Sequence, residues 1–208
     1  LIDATFWEAR LSSVWEMRKA IGLIGRENNN TFRPVHGEGD NLLGLINDCY
    51  GDTEVMQAHS VGMHVFRQDI CEALVKIAGG TIANVYYKSE TTLPYKADIE
   101  HENGFIYGSM GSDLAVENGL KFHIDWLKGQ KTGFFVDQRE NRHLLETYSK
   151  DRSVHNMFCY TGGFSVYAMR GGAKLVHSVD SSAKAVELTN KNIAMNFPDD
   201  NRHAAFCE

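Results

Sequence analysis

Several things are missing from these 208 residues, and each absence closes off a class of protein. No apolar run approaches the roughly twenty residues of a membrane span, and the first residues carry neither a charged lead nor a signal-like apolar stretch. No membrane partner is therefore expected, and the cytoplasm is the expected compartment. The four cysteines, Cys49, Cys71, Cys159 and Cys207, form no C-x-x-C pair and have no histidines at finger distances. That spacing speaks against zinc and for reduced, unlinked thiols. The nine histidines show no ligand spacing either. Positive charge is in deficit, with 21 Lys and Arg against 27 Asp and Glu, a formal net charge of −6. Such a balance argues against a broad basic face for nucleic acid, so positive surface for RNA has to be local or lie outside this chain. There are no repeats and no low-complexity segments.

Two nucleotide fingerprints are also absent. A dinucleotide site wants G-x-G-x-x-G, but Gly162 and Gly163 are adjacent, and Val166 and Tyr167 follow where small residues belong. The run Gly129-Gln-Lys-Thr132 looks like a Walker A tail, yet Gly and Lys are not adjacent and no Gly lies five residues earlier. What is present is Ser153-Val-His-Asn-Met-Phe-Cys-Tyr-Thr-Gly-Gly-Phe-Ser-Val166 followed by Lys174-Leu-Val-His-Ser-Val-Asp180. Val154–Phe158 suits a strand buried on both faces, and Thr161, Gly162 and Gly163 break it where the chain turns into a helix. Glycines let the backbone pass close to a ligand, and the amides that open a helix face an anion or carboxylate. Asp180 ends the second strand, where a carboxylate can accept both hydroxyls of a ribose. The unit reads adenosine. With the dinucleotide and triphosphate fingerprints absent, S-adenosylmethionine is the remaining cofactor.

The same residues resemble a known family. Gly129-Gln-Lys-Thr-Gly-Phe-Phe-Val-Asp-Gln-Arg-Glu-Asn-Arg142, Asn156-x-Phe-Cys-Tyr-Thr-Gly-Gly-Phe-Ser-Val166, Ser178-Val-Asp-Ser-Ser182 and Asn192-x-x-x-Asn196 resemble the large-subunit (23S) ribosomal RNA cytosine-C5 methyltransferases that carry a PUA domain. Arg33-x-Val-x-Gly-Glu-Gly-Asp-x-Leu-x-Gly-Leu45 and Val116-Glu-Asn-Gly119 fit the central domain of that family, with Leu43 standing where Pro is usual. A guanine-N7 rRNA methyltransferase domain shares the Lys-Thr-Gly…Asp-Gln-Arg segment. The resemblance implies a class I methyltransferase acting on large-subunit rRNA. It also implies S-adenosylmethionine on Phe158, Tyr160, Thr161, Gly162, Gly163, Asp180 and Ser181, with Lys131, Asp137, Gln138 and Arg139 folding over the cofactor edge. It assigns no catalytic residue to this chain, because the family's nucleophilic cysteine belongs to a downstream region with an Asp-Pro-Pro loop. A homodimer is a further partner to consider, and so is a non-catalytic role in RNA positioning or self-association.

The expected architecture is an α+β central domain over 1–127 followed by the first half of an α/β Rossmann-like methyltransferase domain over 128–208. Phe6, Arg10, Val14, Met17 and Ile21 share the face of an opening helix. Thr31–His36 and Leu42–Asp48 alternate about Gly37-Glu-Gly-Asp-Asn41 like a hairpin, and Glu54–Ala58 continues the sheet. Asp69–Ala78 reads as a helix stopped by Gly79-Gly80. Strands at Ala83–Lys88, Phe105–Gly108, Asp113–Glu117 and Leu120–Asp125 complete what should be one antiparallel sheet with helices on one side. Helices at Gln138–Ser149, Phe164–Met169 and Ala183–Asn192 and a third strand at Ala204–Cys207 mark a parallel sheet. A start at Leu1 and an end at Glu208 within that strand read as a fragment lacking an N-terminal PUA domain and the C-terminal half of the catalytic domain.

Plain structural readings stand beside these. The glycines could form only a tight turn, and Asp180 could cap the next helix. Cys159 suits core packing better than nucleophilic attack. Tyr86, Tyr87 and Lys88 could stack on RNA, although aromatics in strands usually pack the sheet.

Overall fold

The computed structural model describes residues 2–94 and 102–208. The chain divides into two compact units, Leu1–Ala115 with Ile124–Val136, and Val116–His123 with Asp137–Glu208. This interleaving differs from a single boundary near 127: the stretch through Lys128–Lys131 belongs with the first unit, and the tip of a preceding hairpin belongs with the second.

In the first unit, α1 (Ala4–Ala20) starts where the Asp3 carboxylate accepts the Phe6 amide at 3.0 Å. Its buried residues are Trp7, Leu11, Val14, Trp15 and Arg18, while Met17 and Ile21 are exposed. The helix is therefore rotated from the expected face, because two tryptophans carry more apolar area than Met17 and Ile21 can offer. Arg18 is buried on a carboxylate, with Nη1 and Nη2 donating to Asp40 at 2.6 and 2.7 Å.

Strands β1 (Thr31–His36), β2 (Leu45–Tyr50) and β3 (Thr53–Ala58) form an antiparallel meander, as expected of this segment. The chain then runs through α2 (Val61–Val65) and α3 (Arg67–Ala78) before β4 (Asn84–Tyr87). That crossover makes β3 and β4 parallel, and β5 (Gly104–Tyr107) pairs antiparallel with β4. The five-stranded sheet, in the order β1-β2-β3-β4-β5, is therefore mixed, a correction to the antiparallel expectation. Gly79 closes α3 in the left-handed region at φ 58°.

Each strand divides its side chains between two faces. Cys49, Met56, Ala58, Val85 and Tyr87 join Trp7, Leu11, Ile70 and Leu74 in the core under α1 and α3. On the alternate positions, Tyr86 packs with Phe105 and Trp126 at ring separations of 5.1–5.6 Å. The Tyr50 hydroxyl lies 2.8 Å from that of Thr132, which donates to the fully buried Asp48. These contacts bind 124–136 to the sheet, so the change of texture at Lys128 falls inside a unit.

The hairpin β6 (Leu114–Glu117) and β7 (Leu120–His123) carries its tip into the second unit. There α4 (Arg139–Tyr148) precedes β8 (Ser153–Met157), α5 (Gly163–Arg170), β9 (Leu175–Asp180), α6 (Ala183–Asn196) and β10 (His203–Cys207). The three strands are parallel in the order β10-β9-β8. Strand β8 is not buried on both faces: Val154 and Asn156 are half-buried, and Ser153, His155 and Met157 are exposed. Glu117 is buried at the centre of a polar cluster, accepting from Arg142 at 2.8 and 2.7 Å and from the Tyr167 hydroxyl at 2.9 Å.

Candidate cofactor site

Within the second unit, the chain leaves β8 at Met157 and enters α5 at Gly163 through alternating left-handed residues: Phe158 at φ 58°, Tyr160 at 51° and Gly162 at 75°. Side chains disfavour this region, and hydrogen bonds from three directions hold the turn there. The Cys159 amide donates to the Val179 carbonyl and the Gly162 amide to the Cys159 carbonyl, both at 2.9 Å. The Tyr160 amide donates to Asp180 Oδ2 at 2.8 Å. From α6, Thr189 Oγ1 donates to the Tyr160 carbonyl at 3.0 Å and Asn192 Nδ2 to the Thr161 carbonyl at 2.9 Å. A Cβ on Gly162 would stand 2.5 Å from Thr189 Cγ2, so glycine is required there by space as well as by φ.

Asp180 ends β9 with both oxygens engaged, Oδ2 by Tyr160 and Oδ1 by the Ser182 amide at 2.9 Å. A carboxylate has about four acceptor sites, so capacity for hydroxyl donors remains. The cap of α6 is Ser182, whose side chain accepts the Ala185 amide at 3.3 Å. Ser181 is exposed beside it. Helix α5 begins at Gly163 with no side-chain cap, so the amides of its first turn, which have no partner within the helix, open toward the loop with the positive end of the helix dipole. Asp180 and this turn thus bring an acceptor for hydroxyls and donors for a carboxylate to adjacent strand ends, the set that an adenosine carrying an amino-acid tail requires. Phe158 is 89% exposed beside them.

The remaining expected site residues lie apart from this turn in the chain. Asp137 and Gln138 belong to a 3-10 turn leading into α4; Asp137 is exposed, and Gln138 Oε1 accepts from Asn141 Nδ2 at 2.9 Å. The Arg139 side chain is largely buried with Nε 3.5 Å from Glu117 Oε2, which draws its charge to an interior carboxylate. Lys131 belongs to the first unit, where its Nζ lies 4.6 Å from the centre of the Phe135 ring. Cys159 is buried, and burial raises the pKa of its thiol despite a hydroxyl contact with Thr189 at 3.7 Å. It therefore packs as a thiol.

No local pattern in the sequence assigns a role to the α6 residues that hold the turn. Thr189 carried no signal. Asn192 and Asn196 were visible as an i, i+4 pair, but their work depends on β7: Asn192 Oδ1 accepts the His123 amide at 2.8 Å and Asn196 Oδ1 the Lys121 amide at 2.9 Å. Two residues one helical turn apart thereby satisfy alternate amides along one strand edge.

A family described as S-adenosylmethionine-dependent methyltransferase matches residues 96–207. Among curated proteins, the chain is similar to the ribosomal RNA large subunit methyltransferase I of Tolumonas auensis, 38% identical over 198 residues that cover 94% of this chain and 49% of that protein. It is also similar to the ribosomal RNA large subunit methyltransferase of Deinococcus radiodurans, at 36% identity over 200 residues, with coverage again 94% and 49%. The chain spans about half the length of these relatives. Among solved structures, a putative S-adenosylmethionine-dependent methyltransferase from Streptococcus mutans shares the fold with a TM-score of 0.85 at 24% identity, covering 99% of this chain and 52% of that one.

Proposed function

Because the chain belongs to the S-adenosylmethionine-dependent methyltransferase family, we propose that it takes part in transferring a methyl group from that cofactor to large-subunit ribosomal RNA, at C5 of a cytosine. The observation that carries this reading is the left-handed turn Phe158–Gly162 tied to Asp180, together with relatives named as large-subunit rRNA methyltransferases. When bound, the cofactor supplies an electrophilic methyl group on a sulfonium. In this proposal Asp180 accepts the ribose hydroxyls, and the amides opening α5 receive the amino-acid carboxylate, where a helix N-terminus favours negative charge. Phe158, Tyr160, Thr161, Gly162, Gly163 and Ser181 shape the remaining contact surface. Asp137, Gln138 and Arg139 are assigned to the cofactor edge by resemblance, with the charge of Arg139 shared with Glu117, whereas Lys131, expected there too, belongs to the first unit.

Cytosine C5 is not nucleophilic until C6 carries an adduct. A thiolate must therefore attack C6, C5 then takes the methyl, and a general base removes the C5 proton as the thiolate leaves and the ring double bond returns. A base held in a stack has to be flipped out or presented unpaired. None of the cysteines here is assigned the attack. Burial raises the pKa of Cys49, Cys71 and Cys159, and Cys207 Sγ donates to the Ser181 carbonyl at 3.6 Å. The family's Asp-Pro-Pro segment does not occur in these residues. The same resemblance supports delivery of the RNA by a PUA domain.

The test is tritium transfer from labelled S-adenosylmethionine to protein-free large-subunit rRNA by the protein at its natural length, with the modified nucleoside identified by mass spectrometry. The expected product is 5-methylcytidine. 7-Methylguanosine would overturn the target base, and no transfer would overturn the RNA assignment.

A further inference from the structure

The face of the five-stranded sheet turned away from α1 and α3 holds a cavity of about 520 Å³, built entirely within the first unit. Its walls carry Arg33 from β1, Lys88 just past β4, and Lys128 and Lys131 from the segment that follows β7 in the chain. No acidic side chain lines it among the described residues, in a chain whose formal charge is −6. Local positive charge of this kind is what an anionic ligand selects, and a net acidic background sharpens the preference for one place.

The walls are held in position. Arg33 donates to Asp48 at 2.7 and 2.8 Å, so this pair roughly cancels, and the other positive side chains among the described lining residues are the three lysines. Asp48 also accepts from Thr132, which anchors the loop, and Lys88 Nζ donates to the Gly129 carbonyl at 2.6 Å. Burial lowers the pKa of His59, which leaves it a neutral wall at pH 7, and Gln57 adds an amide. A cavity of this volume admits a piece the size of one nucleotide; a duplex, about two nanometres across, cannot enter it. Among the described residues no Phe, Tyr or Trp lines it, so the contact it favours is to phosphate and sugar rather than by stacking.

We propose that this cavity is a docking site for the sugar–phosphate backbone of single-stranded RNA, with Lys88, Lys128 and Lys131 on its phosphates. The proposal rests on RNA being the substrate and extends it to a site apart from the turn at Asp180. Free nucleotides share this chemistry, so the experiment separates the two sources.

A fluorescein-labelled twelve-nucleotide oligouridylate is titrated by anisotropy from 50 to 200 mM KCl into the wild-type chain, Lys128→Glu and Lys19→Glu. Lys19 lies on α1 and controls for the same change of charge elsewhere in the unit. Thermal melting confirms that each variant folds, and uridine monophosphate serves as competitor. The expected result is at least tenfold weaker binding for Lys128→Glu, with a salt slope reduced by about 0.7, the value for one phosphate contact on a single strand. Lys19→Glu should stay within twofold of wild type. A 4-thiouridine oligonucleotide should crosslink within 88–92 or 128–131. Equal binding by the two variants, while wild type binds, would overturn the cavity assignment and leave the RNA reading intact. No binding of the oligonucleotide to wild type would overturn both. Competition by uridine monophosphate at the oligonucleotide's own affinity would make this a free-nucleotide site and overturn the proposal.

Discussion

Asn192 donates from Nδ2 to the carbonyl of Thr161 and accepts the amide of His123 on Oδ1, at 2.9 and 2.8 Å, with its side chain fully buried. One residue of α6 thereby ties the turn after β8 to the edge of β7. Asn192→Ala leaves both backbone groups without a partner, at a cost of about 2–4 kcal/mol in total. The expected outcome is a lower urea midpoint with an unchanged m-value. Asn192→Asp keeps the acceptor for His123 but sets a buried carboxylate oxygen against the Thr161 carbonyl, so it should cost at least as much as alanine. A wild-type midpoint for Asn192→Ala would mean that these bonds add nothing to stability.

Asp180→Ala should weaken S-adenosylmethionine by about 1.5–3 kcal/mol, the scale of hydrogen bonds to a charged group. The Tyr160 and Ser182 amides lose their acceptor in the same variant, so a fall in melting temperature is expected beside the loss of affinity. Calorimetric titration at a temperature where the variant is folded separates the two, and unchanged affinity would remove the ribose assignment.

Cys159→Ser tests the thiol. The Tyr160 carbonyl and the Thr189 hydroxyl both stand 3.7 Å from Sγ, so a hydroxyl finds acceptors close by. The loss of stability should be small, about 1 kcal/mol, below the usual range for an unpartnered buried hydroxyl. Methyl transfer should remain measurable in the protein at its natural length. Abolished transfer with an unchanged melting temperature would make Cys159 a nucleophile.

Glu54 is fully buried on β3, on the same strand face as Met56 and Ala58 and thus toward α1 and α3. Burial pushes its carboxyl from 4.5 up to about 8, with Asn47 opposing the rise and the Asp48 carboxylate adding to it, and neither Glu54 oxygen makes a hydrogen bond of normal geometry. Between these two values the folded chain holds a proton that the unfolded chain has released. Stability should therefore fall as pH rises from 4.5 toward 8, with a slope of at most about 1.4 kcal/mol per pH unit from this group. Glu54→Gln should flatten that slope and gain most over wild type near pH 8, as read from urea midpoints across the window. Parallel profiles for the two proteins would place the titration elsewhere.

Local chemistry made much of the second unit legible before any fold was known. Glycine at 162, an acid at 180 and a Ser pair after it are short-range requirements of a strand–turn–helix and a helix start, and such requirements are written in neighbouring residues. The strand at Thr31–His36 and the Gly79 stop of α3 were legible for the same reason, although burial along that strand does not alternate and its pairing with β2 is irregular between Phe32 and Val35. What only the tertiary structure decided depends on residues distant in sequence. The rotation of α1 follows from what its tryptophans meet in α3 and the sheet. The parallel pairing of β3 with β4 follows from two helices carried across the sheet. The partition of Lys128–Lys131 into the first unit follows from Asp48, Tyr50 and Lys88, some forty to eighty positions upstream, and the turn at Gly162 is held by Thr189 and Asn192, some thirty positions downstream. A motif states which backbone shape a segment can take; which buried partners satisfy that shape is fixed only when distant elements pack, because the energy of a buried polar group depends on the acceptor or donor the fold brings to it.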